Sequence, residues 1–161
     1  MGDTRLATSI PEGTAFFVEE EGERLAFGVV ARRQPRGHCI ALYLFWPPAI
    51  DLTEWPDDLP DPASASFRGR FADRALRDGV WSSMGVHPGF RREQWPFDRI
   101  LHREFITGRC TLIALDDRNP LKMIGSEPVE CDTATGLPSD TLYAAYHLKE
   151  AILERGGKWL A

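Results

Sequence analysis

His102 and Glu104 stand two apart in RILHREF, so on a strand both side chains would project from one face. With Asp116 or Asp117 arriving from a neighbouring strand, they could begin a metal or acid–base site. Metal centres need a third and usually a fourth ligand, and the chain has no HxH, HExxH or CxxC. A polar pair on the outer face of an antiparallel strand is the simpler reading. Ser82 and Ser83 lie in VWSSMGV, which lacks the flanking glycines of a nucleophile elbow. Cys39 and Cys110 open apolar runs, where a thiol is a poor nucleophile. His38 and His87 adjoin turn glycines or prolines, a setting in which an exposed, idle histidine is common. No glycine-rich phosphate loop occurs. These residues predict no catalysis, no cofactor and no metal.

Arginines cluster at Arg32, Arg33 and Arg36, at Arg68, Arg70 and Arg74, and at Arg91 and Arg92, interleaved with Phe67, Phe71, Phe90 and Trp95. That pattern can serve single-stranded RNA. The formal charge of −5 opposes it, and no nucleic-acid module fits. The arginines are expected to pair with surplus carboxylates or to cover sheet edges. Neither nucleic acid nor a membrane is an expected partner.

At 161 residues the chain suits one domain, 1–161, large enough to bury a core without a metal. The three cysteines, an odd number at no metal spacing, argue against a disulfide framework and for a reducing compartment. The start MGDTRLATSIPEG has no apolar leader core, and no run reaches membrane-spanning length. The expected location is the cytoplasm.

Several short elements must position these residues. Residues 14–19 (TAFFVE) and 25–32 (LAFGVVAR) read as strands around a turn at Gly22. Gly28 marks a bulge or a close backbone approach. Residues 39–46 (CIALYLFW) are apolar on both faces, the pattern of a strand inside a sheet. A three-stranded antiparallel meander follows from these. Further strands are expected at 65–71 (with a helix from Ala63 as the competing reading), 80–86, 99–105, 110–116 and 121–129, and helical turns at 72–79. A helix is predicted from Asp140 to about Arg155, capped by Ser139 and ended by Gly156 and Gly157. The fold class is α+β: a predominantly antiparallel twisted sheet of six to seven strands, with a C-terminal α-helix packed on it.

One segment fits none of this. DLTEWPDDLPDP, residues 51–62, carries five carboxylates, three prolines and one tryptophan, with no basic residue. Proline removes backbone donors and stiffens the chain, so this is a semi-rigid loop. Structureless loops of this length within a compact domain tend to be functional or disordered. Recognition, rather than chemistry, is the reading it invites.

The run GTAFFVEEEGERLAFGVVAR resembles the opening of the immunity protein 26 family, whose members begin with a GD-x-F strand followed by an aFG-x-V strand. DGVWSSMG resembles that family's tryptophan strand, and WPF at 95–97, ALDDRNP and LPSDTLYAAYHLKEAIL are similar to its later segments. Where the family often has aspartate after the first glycine, this chain has Thr14. The likeness spans residues 11–153. It implies a bacterial immunity protein of a polymorphic toxin system, which neutralises a cognate toxin domain by binding it. On that reading a basic, nucleic-acid-targeting toxin is a natural partner for the acidic loop. Trp55 would be the interface anchor, and Asp51, Glu54, Asp57, Asp58 and Asp61 would supply complementary charge; the competing reading of the loop is that Trp55 folds back onto the domain as a lid over a sheet edge and the acids are only solvated. Two other readings stay open. One is a metal-dependent hydrolase on His102, Glu104 and Asp116; the other is a small-ligand-binding β-domain with Trp46 and Trp95 lining its pocket.

Overall fold

A computed structural model describes residues 9–134 and 136–143. Nine strands lie among them: β1 (Thr14–Glu20), β2 (Glu23–Arg33), β3 (Cys39–Phe45), β4 (Phe67–Ala72), β5 (Ser83–Val86), β6 (Arg99–Arg103), β7 (Cys110–Asp116), β8 (Asn119–Val129) and β9 (Leu142–Tyr143). One four-residue helix, α1 (Arg74–Arg77), follows β4. The strands form two sheets rather than the single sheet expected. The larger has the order β5-β1-β2-β3-β4-β9, and the smaller β6-β7-β8.

The β1–β2–β3 meander forms as the alternation predicts, with Phe17 opposite Phe27 and Val29 opposite Tyr43. Every residue of β3 is buried, as expected for an interior strand apolar on both faces. Alternation then sorts the core into two layers. Phe16, Val18, Ala26, Val30, Ile40, Leu42 and Leu44 face one side, where Leu76, Trp81 and Tyr143 pack on them. Phe17, Phe27, Val29, Tyr43 and Phe45 face the other, against Trp95, Phe97, Ile100 of β6 and Leu115 of β7. The small sheet therefore covers the second face of the large one.

Gly28 is the close approach that the sequence suggests. A Cβ there would lie 2.1 Å from Cζ of Phe16, whose ring stacks on Trp81 at 5.6 Å. The bulges of these strands lie elsewhere, at Val18/Glu19 and Val30/Arg32.

Three expectations are corrected. The helix predicted from Asp140 does not begin there. Leu142 and Tyr143 pair in parallel with Arg70 and Phe71 as β9, and the Tyr143 ring stacks on Phe71 at 4.9 Å. The aromatic seat on the sheet outweighs the helical pattern at these residues; the rest of the expected helix lies outside the described residues. The competing helix from Ala63 shrinks to a 3-10 turn, Pro62–Ser64, and β4 follows it. The cysteines are not all reduced, since Cys110 and Cys131 form a disulfide. Register explains the meeting. Cys110 pairs with Val129 at the open end of the β7–β8 hairpin, which delivers Cys131 beside it. Cys39 is the buried free thiol, pushed up to about 11 chiefly by burial.

Candidate protein-binding loop

Between β3 and β4 the chain leaves the sheet for residues 46–66, the proline-rich segment singled out above. Its apolar and acidic residues part company. Leu52, Trp55 and Leu59 are half-buried and pack against the second core layer. Asp51, Glu54, Asp57, Asp58 and Asp61 all stay exposed. The loop thus lies on the sheet by one side and presents carboxylates on the other.

Trp55 folds back onto the domain: its ring sits 4.3 Å from that of Phe17 on β1. An indole with an aromatic neighbour and no fixed period can still find a sheet when its loop folds flat. Arg24 holds the arrangement from β2. Its guanidinium lies 4.1 Å from the Phe17 ring centre and 6.0 Å from that of Trp55, and Nη1 donates to the carbonyls of Leu52 (3.0 Å) and Thr53 (3.2 Å). One cation therefore binds two rings and two backbone acceptors.

His87 holds the other end, and it is buried rather than idle. Its Nδ1 accepts the Gly89 amide at 2.9 Å, which leaves Nε2 as the protonated nitrogen donating to the Pro56 carbonyl at 3.1 Å. The sequence offers only a Pro-Gly turn after this histidine, and turn chemistry alone does not say what its ring reaches. Arg24 is equally silent in sequence, as one more charge at the start of a strand.

The five carboxylates differ in role. Asp51 accepts the Thr53 amide (2.9 Å) and hydroxyl (2.7 Å), which together hold its carboxyl below the usual range. Asp61 caps the 3-10 turn through the Ala63 amide at 3.0 Å. Among the described residues Glu54, Asp57 and Asp58 make no such bond, and none of the five enters an ion pair. Two acids shape the loop; three are left for solvent or a partner.

The metal-site alternative loses its geometry. His102 pairs across β6–β7 with Thr111, whereas Asp116 pairs with Asn119 at the far end of β7. Five residues of strand separate these positions, roughly 16 Å. His102 instead contacts Asp140 at 2.6 Å, and Glu104 accepts the Thr107 hydroxyl. Among the described residues no group of three His, Cys, Asp or Glu side chains is gathered to hold a metal. The ligand-pocket alternative also changes. Trp46 and Trp95 are buried in opposite core layers, so they line no common pocket. A cleft of about 1200 Å³ does open beside the loop, bordered by Asp61, Tyr43, Phe67, Arg68, Gln94 and Tyr143.

No family model, curated protein or solved structure matches this chain.

The arginine clusters divide. Arg32, almost wholly buried, meets Asp117 at 3.0 Å and also donates to the Trp95 carbonyl. Arg92 bridges Asp117 and Glu12, and the Arg92 guanidinium, ahead of Arg32, holds the Asp117 carboxyl below its usual range. Arg74 and Arg77 pair with Asp78 and Asp73. Arg68 and Arg70 donate instead to main-chain carbonyls, of Gly136 and of Pro120 and Asp140. Much of the arginine charge is thus tied to internal structure, while the loop's carboxylates face outward. No helix among the described residues is long and apolar enough to cross a membrane.

Proposed function

We propose that this chain is a bacterial immunity protein that binds a cognate toxin domain and neutralises it by contact, with no bond-making step of its own. The observation that carries the reading is the pinned acidic loop. Glu54, Asp57 and Asp58 stand exposed with no ion pair among the described residues, on a segment held down by Trp55, Arg24 and His87. A loop already fixed loses little conformational entropy on docking. Like charges on a fixed face accelerate encounter with a basic cleft and set its register. The proposed partner is accordingly a toxin with a basic, nucleic-acid-binding cleft. Trp55 serves this face as a positioning residue, while the three acids would make the contact.

The test uses the toxin domain encoded beside this chain. Stopped-flow association is compared for the wild type and for Glu54→Gln/Asp57→Asn/Asp58→Asn, across salt concentrations. The triple variant should associate about tenfold more slowly at low salt, with a flatter salt dependence and a nearly unchanged dissociation rate. Absence of wild-type binding would sink the functional reading; equal association rates would sink only the acidic face. The cytoplasm is the proposed place of action, and the Cys110–Cys131 bond bears on it directly. Such bonds are rare where thiols are kept reduced. Counting free thiols in protein quenched within cells decides it: three thiols support the cytoplasm, one supports an oxidising space.

A second reading, a small-ligand-binding β-domain, is favoured by the cleft beside Asp61. Tight, stoichiometric retention of a small molecule through native purification, lost on Arg68→Ala, would support it.

A further inference from the structure

A second pocket, of about 550 Å³, shares no lining residue with the cleft beside the acidic loop. Six residues border it: Pro11, Glu12, Arg33, Pro35, Arg92 and Arg118. Three of the six are arginines, and each comes from a different part of the chain. Arg33 ends β2 of the large sheet, Arg92 opens the 3-10 turn Arg92–Gln94, and Arg118 stands in the β7–β8 turn of the small sheet.

Their charges are not equally engaged. Arg92 is taken up on two sides, by Glu12 at 2.8 Å and by Asp117 at 2.5 Å. Asp117 also meets the buried Arg32 at 3.0 Å. Asp116 accepts the Arg118 amide at 2.8 Å, while its charge is met by Lys122 at 3.9 Å. Arg33 and Arg118 are left over. Arg33 donates to the Ser9 hydroxyl at 2.7 Å, a neutral acceptor. Neither guanidinium enters an ion pair among the described residues. Glu12 is the one carboxylate on the pocket's border, and Arg92 already holds it. Two positive charges therefore border one pocket with no opposite charge left to meet them, on a chain whose formal charge is −5.

The chemistry of the guanidinium says what fits there. It is planar and always charged, and its fork of N–H donors matches the oxygens of a phosphoryl group two at a time. Two such forks from two sheets suit an anion that carries charge on two adjoining groups, as a diphosphate does. Pro11 and Pro35 have neither a charge nor a backbone N–H, so recognition falls to the arginines. Arg92, locked between Glu12 and Asp117, ties the segment before β1 to the β7–β8 turn. The border is thus braced before any ligand arrives, which lowers the cost of ordering it.

We propose that this pocket binds a diphosphate group, free or carried by a nucleotide, between Arg33 and Arg118. A ligand held by both would link the two sheets and raise the melting temperature of the chain. This site stands independently of the toxin-binding reading. Its test is calorimetric titration of the full chain at low salt with inorganic pyrophosphate and with adenosine diphosphate. The wild type should bind one equivalent. Arg33→Gln/Arg118→Gln removes both charges and should raise Kd at least about tenfold, with the ligand-free melt unchanged. Arg118→Gln alone, in an exposed turn, is a second variant that leaves the fold intact and should weaken binding in the same direction. Arg103→Gln/Arg109→Gln makes the same change of charge at exposed positions of the β6–β7 turn and should leave Kd as in the wild type. Equal weakening in both double variants would show a diffuse effect of charge and overturn the site. So would the absence of one-to-one binding of either probe to the wild type. Adenosine diphosphate binding about tenfold more tightly than pyrophosphate would support the site with a nucleotide as the source; equal affinities would support it with free diphosphate. Tighter binding of single-stranded oligouridylate than of either probe, lost in Arg33→Gln/Arg118→Gln, would assign the pocket to nucleic acid and overturn the proposal.

Discussion

Replacing Arg24 by Ala should release the acidic loop without unfolding the sheet beneath it. Arg24 gives Nη1 to the Leu52 and Thr53 carbonyls and lays its guanidinium over Phe17. One nitrogen serving two exposed acceptors contributes about 1–1.5 kcal/mol, and a cation over an aromatic face at an exposed site about 0.5–1 kcal/mol. Together they stabilise the closed loop by about 2 kcal/mol, or close to thirtyfold in its opening equilibrium. Amide hydrogen exchange reads this directly. The Thr53 amide, bonded to Asp51 within the loop, should exchange about thirtyfold faster in the variant. Amides of β3, paired on both sides by β2 and β4, should exchange at the wild-type rate. Parallel acceleration of β3 would mean that Arg24 supports the whole sheet, and no acceleration at Thr53 would mean that Trp55 and His87 hold the loop alone. Either result refutes the clamp. In the toxin assay, a loosened loop should weaken affinity while keeping the electrostatic salt dependence, because the three acids remain.

Gly28→Ala should destabilise the fold by about 2–3 kcal/mol, visible as a lower urea midpoint with an unchanged slope, because the new Cβ meets a Phe16 ring backed by Trp81. A midpoint within error of the wild type would show that Phe16 can move aside. Cys39 makes stability depend on alkaline pH. Burial pushes its thiol in the folded chain up to about 11, above the 9.0 of an exposed thiol. Its contribution is therefore complete below pH 9 and is lost as pH rises toward 11, because the unfolded chain releases the proton first. Cys39→Ala should flatten the stability profile over that window by on the order of 2 kcal/mol, and an unchanged profile would place the loss elsewhere.

The meander was legible because its information is local. Alternation in TAFFVE and LAFGVVAR sets the faces, and the two-faced run CIALYLF can only be an interior strand. The hairpins of the small sheet were legible for the same reason. What local pattern cannot tell is which sheet a strand joins, so two sheets read as one. The start of the expected C-terminal helix failed similarly: the Leu142–Tyr143 pair is held by Phe71 and Arg70, some seventy residues earlier, and no helical period registers that contact. Cys110 and Cys131 look unrelated at a separation of 21 until the β7–β8 register brings them together. The acidic loop was visible from composition, yet its clamps were not. Trp55 finds Phe17, and His87 finds Pro56, only after the chain has returned.

The way polar groups are used separates the two halves of the surface problem. Arg32, Asp73 and His87 are buried, and each is taken up by a named structural bond: to Asp117, to Arg77 and to Pro56. Arg70 is buried too and ties β4 to the carbonyls of Pro120 and Asp140. Side chains held in this way position backbone; a reacting group must also be reachable by a substrate. Among the accessible groups, three carboxylates on a clamped loop suit recognition. Charge held on a rigid surface steers a partner toward it. A surface of that composition supports the reading of a protein that acts through the partner it holds.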